Sequence, residues 1–480
     1  MTASGLQSRT IICLAVAALL CCAPSYAQNA EQHYEKGVVL LKQQQVDAAI
    51  AELAQAVRLS PDNPLAHYYL GYALGVKGSL PEAIAEYEAA VRLKPDFGEA
   101  QYYLGAARWF SNDVKGAIEA LTAAARLVPE HANAHYYLGL ALQKNGDVRA
   151  AVTELERAVK ISPEMIEARH ALGLALQQDE NLDAAVEALR EVVRLKPDFV
   201  QAHNDLGLAL VEKRDPAAAI TEFNAALALE PNNLIAHHNL GMALIQKGDY
   251  AAAVAQYRKL LTLTPDDSWA HYNLALALKQ RDALDEAVVE LKRAVELQPA
   301  LQEAHYTLGV IYLQQSKLDA AAMSFRAAIE AKRDYAEAHY TLGTVLQQQG
   351  KLDEAIAAFR EALRYAANAP EIHNTLGTAL RQKGDAGGAR AEFQEAARLN
   401  KIKSNMQAAT FATNTGLARL KEGNLDAAIE RFQAAVQLDP TSAQAYYNLA
   451  RALQQKGQQA AASEAYQKAK ELDPRLKPLP

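Results

Sequence analysis

Cysteine is confined to the start of this 480-residue sequence, at Cys13, Cys21 and Cys22. Beyond residue 22 neither a disulfide nor a thiolate metal site can form. Aromatic residues are scarce, at 7%, whereas sheet-built domains draw heavily on aromatic and β-branched side chains. Ala, Leu, Gln and Glu recur instead, the palette of closely packed helices, so an all-α fold is expected. No basic stripe interrupts a formal charge of −7 that is spread along the chain. That argues against a nucleic-acid partner, which would need a surface that tracks phosphates. Acidic blocks of the kind that make disordered tails are also missing.

Long apolar runs are absent too. The longest lies between Ile11 and Ala23, about 13 residues against the roughly 20 that a spanning helix needs. Arg9 precedes it, and Ser25-Tyr26-Ala27 follows with small residues at the −3 and −1 positions of a cleavage site. Residues 1–27 therefore read as a secretory signal peptide. The protein is expected to be exported, periplasmic or secreted, with no membrane span once the leader is cleaved. A lipid anchor would need a small residue before the modified cysteine, but Cys21 follows Leu20 and Cys22 follows Cys21.

What the chain has in abundance is periodicity. Gly37, Gly71, Gly105, Gly139, Gly173, Gly207 and Gly241 recur every 34 residues, Ala275 takes the next place, and Gly309, Gly343 and Gly377 follow. Gly416 and Ala450 resume the spacing after five extra residues, which makes thirteen units. Counted from seven residues before that Gly, position 20 is Ala in every unit and position 24 is always Leu, Phe or Tyr. Position 7 is mostly Leu, and position 32 is mostly Pro, as at Pro61, Pro231 and Pro440. Small residues at 8 and 20 let two antiparallel helices approach closely, and the large residue at 24 fills the remaining seam. Gly or a polar residue at 15 ends the first helix, and Pro at 32 ends the second.

This pattern resembles the tetratricopeptide repeat (TPR). The resemblance implies an α-solenoid, a right-handed superhelix of 13 helix-turn-helix repeats with a concave groove. Repeats 1–11 are placed at residues 30–403 and repeats 12–13 at 409–476, with a tail at 477–480. An insertion at 404–408, beside units that lack Pro at 32 (Arg333, Ala367, Lys401), is expected to bend the array. The Ala-His-Tyr-x-Leu-Gly of residues 66–71 and 134–139 is similar to the repeats of O-linked N-acetylglucosamine transferases. No stretch long enough for their catalytic domain is expected outside the repeats.

Helical periodicity turns positions 4, 7, 8 and 11 of the first helix towards its partner, so positions 2, 5, 6, 9, 12 and 13 are expected to line the groove. Early units place Tyr68, Tyr69, Tyr102, Tyr103, Tyr136 and Tyr137 there as an aromatic wall. Middle units turn polar, with Asn239 and Asn273 at position 6 and Gln246, Gln280, Gln314 and Gln348 at position 13. Amides at repeat spacing can pair with the amides of an extended peptide whatever its side chains. By resemblance, the two Asn residues stand where the transferase repeats carry a peptide-binding Asn ladder. The competing role for these residues is packing between neighbouring first helices.

Histidine recurs at position 4, from His33 to His373. Packed helices lie about 10 Å apart, too far for equivalent histidines to share an ion whose ligands sit near 2 Å. A structural role is expected, with no metal and no cofactor. No HExxH, phosphate loop, GxSxG or cysteine nucleophile is present, so no enzyme is expected. The expected function is an exported scaffold that binds a partner protein or extended peptide in its groove. The alternatives are a substrate-recruiting subunit of a separate glycosyltransferase or polysaccharide-export complex, and a module whose Tyr wall binds glycan.

Overall fold

The computed structural model describes residues 28–476, 478 and 479, and the expected leader lies outside them. Twenty-five helices and no strand are found among the described residues. They fall into two compact units, up to Pro265 and from Asp266 onward. No helix among the described residues is long and apolar enough to cross a membrane.

The first unit begins with α1 (residues 28–42) and α2 (Val46–Leu59) and continues through six more hairpins to α13 (Leu234–Lys247) and α14 (Tyr250–Leu263). Within each hairpin the residue at position 24 is the plug. Leu53, Leu121, Leu155, Leu189, Phe223 and Tyr257 are fully buried, as is the facing Ala at position 20. Glycine at position 8 admits that plug: a Cβ on Gly139 would stand 2.5 Å from Leu155 Cγ.

Turn geometry explains why the first helices stop where they do. Position 15 is left-handed throughout, at glycines such as Gly78 (φ 85°) and at non-glycines such as Asn112 (φ 66°), Glu180 (φ 61°) and Arg214 (φ 64°). Its amide and the next one bond back to the last turn: Gly78 N to Gly75 O at 3.0 Å, and Ser79 N to Leu74 O at 2.9 Å. Arg214 and Asp215 repeat the pattern on Val211 and Leu210. These bonds satisfy carbonyls that the helix end would otherwise leave unpaired.

The second unit runs from α15 (Ser268–Gln280) through three hairpins to α21 (Pro370–Lys383), α22 (Ala386–Lys421), α23 (Leu425–Leu438), α24 (Ala443–Gln455) and α25 (Gln459–Leu472). The five inserted residues form no separate loop, because α22 passes through 404–408 as part of 36 uninterrupted helical residues. It serves as the second helix of the eleventh repeat and the first helix of the twelfth.

Missing proline alone does not cause this. Lys332 (φ −141°, ψ 98°) and Ala366 (φ −133°, ψ 59°) end their helices before Arg333 and Ala367 with no proline to force them. At the eleventh repeat the ladder is unblocked and the five added residues contain neither Gly nor Pro, which permits the helix to continue. The core is interrupted in consequence. Leu399 is the last buried residue of α22 before Ala409, while Ile402 and Met406 between them are exposed.

Candidate functional site

The first helices of successive repeats are stitched together by pairs 35 residues apart, joining position 5 of one repeat to position 6 of the next. In the first unit His170 Nε2 lies 2.7 Å from Asp205 Oδ2, and the Tyr68 and Tyr103 rings meet edge to face at 5.7 Å. In the second unit Tyr306 and Tyr340 share hydrogen bonds with Thr341 and Thr375 at 3.4 and 3.3 Å. A second row joins position 12 to position 13. Gln143 Nε2 donates to Gln178 Oε1 at 3.1 Å, Gln177 Nε2 to Glu212 Oε1 at 2.8 Å, and Gln347 Nε2 to Gln382 Oε1 at 2.8 Å. The neutral pairs among these contribute about 1 kcal/mol each at most, and the larger effect of the rows is to hold polar groups in register.

The expected tyrosine wall is built, but it faces largely into the stack. Tyr68 lies 4.9 Å from the Phe97 ring and Tyr102 4.4 Å from the His131 ring, both partners being the last residue of the same repeat. Tyr69, Tyr103 and Tyr137 meet the preceding or adjacent rings edge to face or tilted, at 4.9 to 6.4 Å. Burial, and secondarily the neighbouring phenols, pushes Tyr102 up to about 12 and Tyr68 and Tyr87 further still. Tyr136 and Tyr137 are raised by the same burial. All six predicted tyrosines are half-buried, so packing between repeats is a principal role.

The polar residues divide. Gln246, Gln280, Gln314 and Gln348 are exposed, and Gln246 Nε2 also donates to the Val211 carbonyl at 3.1 Å. Asn273 is half-buried. Asn239, expected as an exposed rung, is only 8% exposed, and its Nδ2 has no hydrogen-bond partner. Its short side chain lets the neighbouring first helices close over it. Sequence reasoning put positions 5, 6 and 12 on this face but did not single out His170, Asp205 or the position-12 amides. The pairing signal, compatible polar residues 35 apart, was readable but needs the stacking geometry to be recognised.

The histidines at position 4 are clamps. Nδ1 of His67, His135 and His203 lies 2.6 to 2.7 Å from Glu86, Glu154 and Glu222 on the second helix of the same hairpin. Nε2 of each lies 3.0 Å from the carbonyl of Pro61, Pro129 or Pro197 in the preceding repeat. Glu86, and after it the Pro61 carbonyl, raises the His67 imidazole above its ordinary value against the opposing effect of burial. Two acceptors on one ring favour the doubly protonated form. Among the described residues no group of three or more His, Cys, Asp or Glu could hold a metal ion.

Tetratricopeptide repeat models match residues 34–97, 102–166, 170–234, 204–268 and 340–401. Others match 244–311 and 443–476, and a TPR repeat model matches 311–350 and 416–457. No curated protein matches the chain. Among solved structures it is similar to YrrB, described as a TPR protein with an unusual peptide-binding site, at 24% identity over 39% of this chain and 96% of that one, with a TM-score of 0.37. It is also similar to MamA, at 27% identity over 34% and 96%, with a TM-score of 0.34. A tetratricopeptide repeat protein from Parabacteroides merdae matches at 16% identity over 52% and 98%, with a TM-score of 0.42.

Proposed function

Because the chain belongs to the tetratricopeptide repeat family, we propose that it is an exported, non-enzymatic scaffold that holds an extended segment of a partner protein along its first helices. The observation that carries this reading is the pair of side-chain rows at positions 5–6 and 12–13. They present amides, hydroxyls and ring edges at the repeat spacing, and their cross-links hold these groups in place before any ligand arrives. Preorganised polar-tipped aromatics and amides lose little conformational entropy on binding. Gln246, Gln314 and Gln348 offer donors and acceptors to a peptide backbone.

A photo-crosslinking residue at Gln314, compared with one at Val289 on a second helix and 64% exposed, tests the binding face. Crosslinks to protein concentrated at Gln314 are expected, and equal yield at Val289 would remove the reading. Crosslinks to polysaccharide would favour the glycan alternative. Export predicts a mature chain that starts at Gln28, and N-terminal sequencing that finds residues 1–27 retained would refute the cleaved leader.

A further inference from the structure

Position 6 carries Tyr, Thr, Asn, Asp or Glu in twelve of the thirteen repeats, and Ala171 alone is small and apolar. At four other junctions of the first unit the position-5 side chain meets the position-6 group of the next repeat: Tyr34 with Tyr69, Tyr68 with Tyr103, Tyr102 with Tyr137, and His170 with Asp205. Tyr136, at the junction of the fourth and fifth repeats, faces only a methyl. A cavity of about 270 Å³ opens there, walled by Tyr136, Leu140, Ala171, Leu174 and Phe199.

Several of the polar groups at its edge are already engaged. His170 is bonded to Asp205 and lies 5.1 Å from the Phe199 ring, over which Lys196 Nζ sits at 5.1 Å. Gln143 is bonded to Gln178. Glu167 is also on the lining. What remains unsatisfied is apolar wall, which calls for an uncharged hydrocarbon group. A second, larger cavity of about 570 Å³ shares Tyr136 and Glu167 with the first and reaches Asn133 and Ser162. The pocket therefore lies beside a second, more open cavity with polar residues on its lining.

We propose that the cavity beside Ala171 is the anchor pocket of the array, taking one branched aliphatic or aromatic side chain of an extended peptide laid along the first helices. This rests on the peptide-binding reading above. Tyrosine at position 6 is tolerated in three repeats of this chain, so Ala171→Tyr fills the pocket without breaking the hairpin, and Ala171→Ser leaves it open.

The test is selection of a displayed library of random twelve-residue peptides on the full chain. Wild-type selection is expected to enrich one fixed Leu, Ile, Val, Phe or similar position. Changing that residue to Ala should weaken binding tenfold or more, the scale of burying one such side chain. Ala171→Tyr should weaken the parent peptide similarly and be indifferent to the peptide's Ala change, while Ala171→Ser binds like wild type. Peptides that bind without a fixed apolar residue, or equally well to Ala171→Tyr, overturn the anchor pocket and leave the groove reading standing. A library that yields no binder to the wild-type chain overturns both. Thermal unfolding of Ala171→Tyr, expected to match wild type, separates loss of the pocket from loss of the fold.

Discussion

Two glycines on one helix should respond to the same substitution with opposite sign. Gly71 and Gly75 both lie in α3 (Pro64–Lys77), and both face Tyr87 on α4 (Leu80–Leu93). In helix interiors, replacing Gly by Ala is favourable by about 1 kcal/mol. A Cβ on Gly75 meets only the Tyr87 hydroxyl at 3.7 Å, ordinary contact, so Gly75→Ala should stabilise by about that amount. At Gly71 the added carbon would stand 2.9 Å from Tyr87 Cδ1, 3.0 Å from Cε1 and 3.2 Å from the Ala83 carbonyl. The ring cannot swing aside: it is 2% exposed, stacked on Tyr103 at 5.9 Å and flanked by Tyr68 at 6.2 Å. Overpacking of this kind costs about 1–3 kcal/mol, which outweighs the propensity gain, so Gly71→Ala should lose about 1 kcal/mol net. The two variants should then differ by about 2 kcal/mol, near thirtyfold in opening equilibrium. Solenoids open locally rather than all at once, so hydrogen exchange of the α3 and α4 amides is the right readout. If both substitutions stabilise, propensity alone governs position 8 and the close-approach argument is wrong.

Protonation of His67 is favoured in the fold, so its stabilisation is complete below about pH 6.5 and is lost as pH rises through the higher folded-state value. Exchange protection of the second repeat should therefore fall from pH 6 to pH 8, and His67→Ala should flatten the trend; an unchanged trend would exclude the clamp. At Arg214, a left-handed φ of 64° costs a non-glycine residue roughly 1–2 kcal/mol. Arg214→Gly should raise the urea midpoint of its hairpin despite the added freedom of the unfolded chain, and a lowered midpoint would show that the turn is unstrained. Amides at 403–407 should be protected as parts of a continuous helix, and exchange as fast as in an open loop would contradict α22. Ala219→Leu should overpack its hairpin at a cost of about 1–3 kcal/mol and loosen adjacent repeats more than distant ones, whereas uniform loosening would argue against nearest-neighbour coupling.

The hairpin itself was legible because each of its requirements is local. Glycine at 8, Ala at 20 and a large residue at 24 describe one seam between two helices joined by a short turn, and the plugs at Leu155 and Phe223 sit where that pattern puts them. The tyrosines were harder. A side chain at position 5 points away from its own partner helix, which reads as groove, yet the residues that cover Tyr68 and Tyr102 are Phe97 and His131 at the end of the repeat. Their approach depends on how one hairpin rests on the next.

The insertion shows the same divide. Five residues without Gly or Pro permit either a loop or a continuing helix, and propensity over so short a span decides little; the structure continues α22 through them. By itself the sequence determined the repeat length, the helix pair, the turn at position 15 and the absence of known catalytic motifs, all matters of spacing within 34 residues. Only the tertiary structure decided which polar groups face a neighbour and which face solvent, because pairs such as His170 with Asp205, and the gap opposite Ala171, exist only once separate hairpins are brought into contact.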